Sequence, residues 1–287
     1  MTSFRLPDAT RLGAVTLQVS DLVRSVDYYE RVIGMRVVDR TGRGAHLAAQ
    51  GDDRALIELI EHKHATPVPK RGRLGLYHFA VLLPDRASLG RFLVHLDDLG
   101  LRAGMSDHLV SEALYLNDPD GLGIEVYRDR PAGEWRRIAG QIEMATKPLD
   151  AAAVAAAASG EKWTGMPAGT CIGHVHLHVG DIGEGSSFYS DGLGFEKTVW
   201  SYPGALFMSA GGYHHHLGIN TWAAGASPAN AVDARLLHWE LIVPTLDDAA
   251  AAAGSLRTNG HEVTMGDNHW LATDPWGTTV RMVAASR

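Results

Sequence analysis

The chain has a single cysteine, Cys171, in 287 residues. No disulfide can close within it, and without a CxxC partner or zinc-type spacing the thiol is expected to be a small buried core residue. There is no run of lysine or arginine, and 26 basic against 33 acidic side chains give a formal charge of −7. Such a balance lacks the footprint needed to follow phosphate backbones or anionic lipid, which argues against nucleic-acid and membrane partners. Long apolar runs are missing too. The longest, the alanine-rich 151–158, is far too short to cross a bilayer, and no basic segment followed by an apolar one opens the chain. The expectation is a cytoplasmic protein with a small-molecule ligand, with homo-oligomerisation left open. What is present, 45% hydrophobic and 21% charged residues, is the mix of a folded chain long enough for two cores.

The organising feature is an internal repeat. Leu12-Gly-Ala-Val-Thr-Leu-Gln-Val19 followed by Asp21 is answered 160 positions later by Ile172-Gly-His-Val-His-Leu-His-Val179 followed by Asp181. At the same offset, Tyr77-His-Phe-Ala-Val-Leu-Leu-Pro84 is answered by Leu237-His-Trp-Glu-Leu-Ile-Val-Pro244. Within each half the spacing is 64 residues, from Ala14 to His78 and from His174 to His238. The chain is therefore four copies of one module. Each opens with an alternating strand and continues into an amphipathic helix such as 23–33 or 87–99, stopped by Gly34 or Gly100. Three short strands follow, divided by turns such as Asp118-Pro-Asp-Gly121 and Asp274-Pro-Trp-Gly277. This predicts an α+β protein of four βαβββ modules. The first pair occupies 10–130, a linker 131–169, and the second pair 170–287. A helix is expected over the alanine-rich 149–158, connecting the halves and belonging to neither core.

Paired βαβββ units of this kind resemble the vicinal-oxygen-chelate superfamily, the glyoxalase/bleomycin-resistance fold, in which paired modules curl into open cup-shaped mixed sheets around a metal. The resemblance covers nearly the whole chain outside the linker and the N-terminal tail. Fold alone does not choose among isomerases, drug-binding proteins and extradiol dioxygenases. The last hairpin of module two narrows the choice. His108-Leu-Val-Ser-Glu-Ala-Leu-Tyr115-Leu-Asn-Asp118-Pro-Asp-Gly121-Leu-Gly-Ile-Glu125 is similar to the signature of the extradiol ring-cleaving, catechol 2,3-dioxygenase-like members, departing from it only at Ser106. In module four, Trp270-Leu-Ala-Thr-Asp274-Pro-Trp-Gly277-Thr-Thr-Val-Arg281 keeps the turn but has neither the tyrosine nor the glutamate.

The resemblance implies metal ligands on the first and last strands of the modules. The first-strand positions are Ala14, His78, His174 and His238, and the last-strand positions are read as Glu58, Glu125, His216 and Arg281. Alanine cannot bind a metal and arginine repels one, so modules one and four each lack a ligand. Pairing module two (76–130) with module three (170–225) across the linker presents His78, Glu125 and His174. This two-histidine, one-carboxylate facial set leaves positions open on Fe(II), or on Mn(II), for an aromatic substrate and O2. Pairing within each half gives instead one histidine with two glutamates, or three histidines with an arginine.

Further roles follow from the same resemblance. His216 is expected inside the cup as acid-base catalyst, with His214 on its face and His215 pointing away. Tyr115 is expected on a substrate oxygen, and His108 at the oxygen-derived anion or the entrance. His176, His214 and Trp222 are expected along the substrate pocket, and His238 is a relic or a structural group. The leading expectation is a non-haem Fe(II) extradiol dioxygenase acting on a catechol-like or hydroquinone-like ring. The alternatives are a glyoxalase-like isomerase or lyase using Zn, Ni or Co with His216 as fourth ligand, and a binding protein that sequesters a small aromatic molecule.

Overall fold

The computed structural model describes residues 4–285. Each module's opening strand alternates apolar and polar residues, so one face can be buried against a core while the other lines a cup. In Cys171–His178, Val175 and Leu177 enter the main core, and His174, His176 and His178 lie on the opposite face. The helix of module two, Arg86–Asp98, starts where the Asp85 carboxylate accepts from Ser88 N, and buries Leu89, Phe92, Leu93 and Leu96. In modules one and three the α-helices are short, Leu22–Tyr28 and Ile182–Ser186, and run into wider π-turns over Tyr29–Ile33 and Ser187–Gly192. Gly34 and Gly100, with φ of +87° and +68°, end the first two helical segments in the left-handed region.

Among the described residues eighteen strands form two eight-stranded mixed sheets and one short hairpin. In every module the first strand runs parallel to the last: Phe79 faces Ile124, Val15 faces Ile57, Val175 faces Leu217 and Trp239 faces Val280. The modules then join through their first strands, and they do so across the halves. Gly75–Leu82 pairs antiparallel with Cys171–His178, setting His78 opposite His176, and Arg11–Val19 pairs with Arg235–Val243. One sheet is thus modules two and three, the other modules one and four. Each half remains locked internally by its turns. Asp118 accepts from Asp120 N and Leu122 N and also from the Tyr29 hydroxyl at 3.4 Å, and Asp274 accepts from Trp276 N, Thr278 N and the Tyr189 hydroxyl at 2.8 Å.

Two expectations change. Cys171 is exposed, because it is the first residue of its strand, before burial of the strand begins. The linker helix, Ala151–Ala156, does belong to a core. Val154 is fully buried in the main cluster, and a Cβ at Gly90 would stand 2.3 Å from Val154 O, so only glycine lets this helix sit on Arg86–Asp98. Among the described residues no helix is long and apolar enough to cross a membrane.

Candidate metal centre and pocket

On Gly75–Leu82, His78 projects from the face opposite the core residues Phe79 and Val81; Glu125 comes from Gly123–Asp129, and His174 from the other half. Their ligand atoms converge. His78 Nε2 and His174 Nε2 lie 3.0 and 3.1 Å from the same carboxylate oxygen, Glu125 Oε2, and His78, His174 and Glu125 are 5%, 1% and 2% exposed. Burial alone would push the Glu125 carboxyl up, but the two histidines beside it hold it well below the ordinary carboxylate range. Burial lowers His78 in the direction of the neutral, lone-pair-bearing imidazole. Although near Glu125, His78 Nε2 is off the line of a hydrogen bond and is a buried nitrogen with no partner. Buried polar atoms normally have partners, so an unpartnered nitrogen beside a carboxylate and a second imidazole fits a cation between them. Among the described residues this is the one His/Cys/Asp/Glu group whose atoms approach closely enough for that.

The other cup makes a contrast. There Thr16 donates to Glu58 Oε2 at 2.8 Å and lies 3.1 Å from His238 Nε2. Arg281 donates to Glu240, whose second oxygen accepts from Ala14 N. The polar groups of modules one and four thus satisfy one another, with the arginine's charge already in place.

The three converging groups open onto a cavity of about 190 Å³. Tyr115 and His108 line it, joined by a 2.6 Å hydrogen bond. His108 Nδ1 donates to Ala145 O at 2.8 Å, so in the neutral ring Nε2 accepts the tyrosine's proton. Burial, then the Glu125 charge, keeps the Tyr115 phenol protonated well above the ordinary tyrosine range. His176 and Trp222 also line the cavity. Burial, followed by the neighbouring histidines, holds His176 neutral.

The expected order of the histidine cluster is wrong. His215 lines the cavity, its ring centroid 4.1 Å from that of His174. His214 is fully buried behind it, where its Nε2 donates to Asp129 Oδ1 at 2.7 Å and its Nδ1 lies 2.7 Å from His215 Nδ1. His214 therefore does not touch the cavity. His216 turns away from it, and its Nδ1 accepts from Ala210 N at 3.2 Å. The cause is register. Phe79 faces Ile124 and Val175 faces Leu217, so the third-module counterpart of Glu125 is Gly218, and the histidines precede the strand Leu217–Asn220. A Cβ at Gly218 would lie 3.0 Å from the His176 ring, which occupies the space a side chain there would need.

Two further residues hold the cavity's histidines and were not foreseen from the sequence. Asn220 donates to His176 Nε2 at 3.0 Å and accepts from His178 Nδ1 at 2.7 Å, fixing both rings; its place two residues beyond Gly218, on the same face, was the available signal. Asp129 accepts from His214 and, at 2.9 Å, from the Tyr213 hydroxyl, which bonds the Tyr127 hydroxyl at 2.8 Å. It is the last residue of the strand Gly123–Asp129, four positions beyond Glu125 and on the same face. For two neutral imidazoles the order is determined: Asp129 accepts from the Nε2–H of His214, whose Nδ1 then accepts from the Nδ1–H of His215, and His215 Nε2 carries no proton.

Comparison with known proteins agrees with this architecture. Catechol-2,3-dioxygenase of Bacillus subtilis (strain 168) is 42% identical over 279 residues, covering 96% of each chain. A candidate dioxygenase of Bacillus subtilis subsp. subtilis str. 168 aligns over 99% of this chain and 87% of its own with a TM-score of 0.68 at 13% identity. A glyoxalase I variant from Zea mays aligns over 96% and 94% with a TM-score of 0.59 at 17% identity. At such identities the two structures speak for the fold alone. The sequence profile of the Glyoxalase/Bleomycin resistance protein/Dioxygenase superfamily matches residues 11–126 and 171–282, and with its four βαβββ modules in two cups the chain belongs to that superfamily.

Proposed function

We propose that this chain is a ring-cleaving extradiol dioxygenase that incorporates both atoms of O2 into a catechol-like or hydroquinone-like ring, using Fe(II), with Mn(II) as the other metal, held by His78, Glu125 and His174. The observation that carries this reading is the unpartnered, buried His78 Nε2 beside Glu125 and His174 at the floor of a cavity. Two imidazole nitrogens and one carboxylate would make a facial donor set that leaves coordination positions free. The 42% identity to a catechol-2,3-dioxygenase supports the choice of reaction. Bound there, such an ion supplies a Lewis acid for the ring oxygens and a path for electrons between ring and O2.

The chain's own residues supply the rest. His215, with its unprotonated Nε2 and burial-lowered basicity, accepts a proton from a ring hydroxyl; Asp129 and His214 hold it in that tautomer. The Tyr115 hydroxyl, whose own proton goes to His108, accepts from a ring hydroxyl, and His108 holds it in that orientation. His176, held by Asn220, and the aromatic wall position the ring plane. The isomerase reading required a fourth ligand from the last strand of module three. Gly218 stands at that register position and His216 faces away, which favours the three-ligand dioxygenase.

The test is oxygen uptake. Protein purified anaerobically and loaded with Fe(II) or Mn(II) is mixed with a panel of catechols and hydroquinones, with the ring-opened chromophore recorded in parallel. No uptake at stoichiometric metal sinks the proposal.

A further inference from the structure

The linker does more than connect. Gln141 Oε1 accepts from Trp200 N and Ser201 N at 2.6 and 2.8 Å, tying the segment to module three. Lys147 and Asp107 exchange two backbone hydrogen bonds of 2.9 Å, and Ala145 O accepts from His108, tying the same segment to module two. Between these anchors Met144 packs with Ile142, Val199 and Phe207 in a separate apolar cluster and faces the cavity. Thr146 reaches over to Tyr202, and their hydroxyls meet at 2.7 Å on the cavity wall.

We propose that linker residues 141–147 are the specificity wall of the site: Met144 and the Thr146–Tyr202 hydrogen bond limit its occupant to a single uncharged ring bearing at most a short apolar substituent, and exclude rings carrying a carboxylate. The inference deepens the dioxygenase reading and rests on it. Volume sets the first limit. A cavity of about 150 Å³ holds a benzene, so about 190 Å³ holds one ring and little more. Because the segment is hydrogen-bonded at both ends, a larger substituent meets a braced wall. Charge sets the second limit. Glu125 is the one carboxylate on the lining, and no lysine or arginine lines it. A carboxylate entering beside Met144, Phe207 and Trp222, on the wall away from the proposed metal, loses water and meets no lysine or arginine.

The experiment measures anaerobic binding to the Fe(II)-loaded full chain by calorimetry, with oxygen uptake recorded on the same samples. The probes are catechol, 4-methylcatechol, 4-tert-butylcatechol and 3,4-dihydroxybenzoate. In the unaltered protein the tert-butyl compound is expected to bind about tenfold more weakly than catechol, and the carboxylate about a hundredfold more weakly. Met144→Ala should recover about tenfold for the tert-butyl compound relative to catechol. Met144→Arg should recover the carboxylate alone, and Thr146→Val and Tyr202→Phe should each relax the size limit to the same extent. A profile unmoved by Met144→Ala and Thr146→Val, or a carboxylate that binds as well as catechol, overturns the assignment. Oxygen uptake on catechol separates the two claims: uptake with an unmoved profile refutes the wall alone, and a moved profile without uptake refutes the dioxygenase reading alone.

Discussion

His174 Nε2 lies 3.1 Å from Glu125 Oε2, although the two residues stand in opposite halves of the chain. That contact exists because the first strands of modules two and three pair antiparallel, and it makes the proposed metal centre dependent on both halves at once. Glu125→Gln and His78→Ala are expected to abolish stoichiometric Fe(II) or Mn(II) binding in elemental analysis, whereas His238→Ala, from the self-satisfied cup, should retain it. Metal at a hundredfold excess over Kd should stabilise the unaltered protein by about 2.7 kcal/mol. Chelation should reverse the gain, and Glu125→Gln should show none. Loss of metal in His238→Ala would transfer the site to the other cup.

His215 and His216 are adjacent in sequence but face opposite ways, so they can be compared directly. His215→Gln should lower kcat by about 10²- to 10⁴-fold, the range for losing a general base, while metal content stays intact. His216→Gln should leave kcat as it is. The reverse ranking in steady-state oxygen uptake would restore the register read from the sequence.

Asp129 acts through the rings it holds. Asp129→Asn can still accept from Tyr213 but no longer fixes the His214 proton as a carboxylate does. It should lower kcat more than it raises KM and cost about 1–3 kcal/mol in urea unfolding, as expected for an impaired buried hydrogen-bond network. A change confined to KM would count against the positioning role.

Burial, assisted by the charge of Asp120 and opposed by backbone N–H bonds, raises the Asp118 carboxyl to about 7. The folded pKa is thus above the ordinary 3.8, so the stabilisation from protonated Asp118 is fully present below that value and is lost as pH rises through about 7. The unaltered protein should accordingly lose stability relative to the non-titrating Asp118→Asn from acid toward neutral pH. Urea midpoints measured across the interval check it, and a constant difference would remove Asp118 from the account.

The repeat made the architecture legible. Alternating strands, glycine-stopped helices and Asp-Pro-x-Gly turns are local signals with local causes, and Ala14 and Arg281 pointed to a pairing across the linker because they cannot serve where ligands are needed. The histidine cluster was not legible in the same way. Strand periodicity says which residues share a face but not where a strand begins, and a two-residue error in aligning Gly218 with Glu125 moved His216 into a place that His215 fills. Met144 was not legible because linker composition carries no sign of the surface the linker will cover, and Asp129 because its partners His214 and Tyr213 lie in the other half of the chain.

The sequence by itself determined four βαβββ modules and put His78, Glu125 and His174 at equivalent strand positions, since a side chain's face follows from period two and an Asp-Pro-x-Gly turn from its own backbone. Only the tertiary structure decided which histidine of the third module meets the cavity, which carboxylate orients it and what closes the pocket's outer side. Those outcomes depend on parallel register, on the space Gly218 leaves for His176, and on a linker docked between two modules. These are contacts between residues far apart in sequence, where no local pattern carries the information.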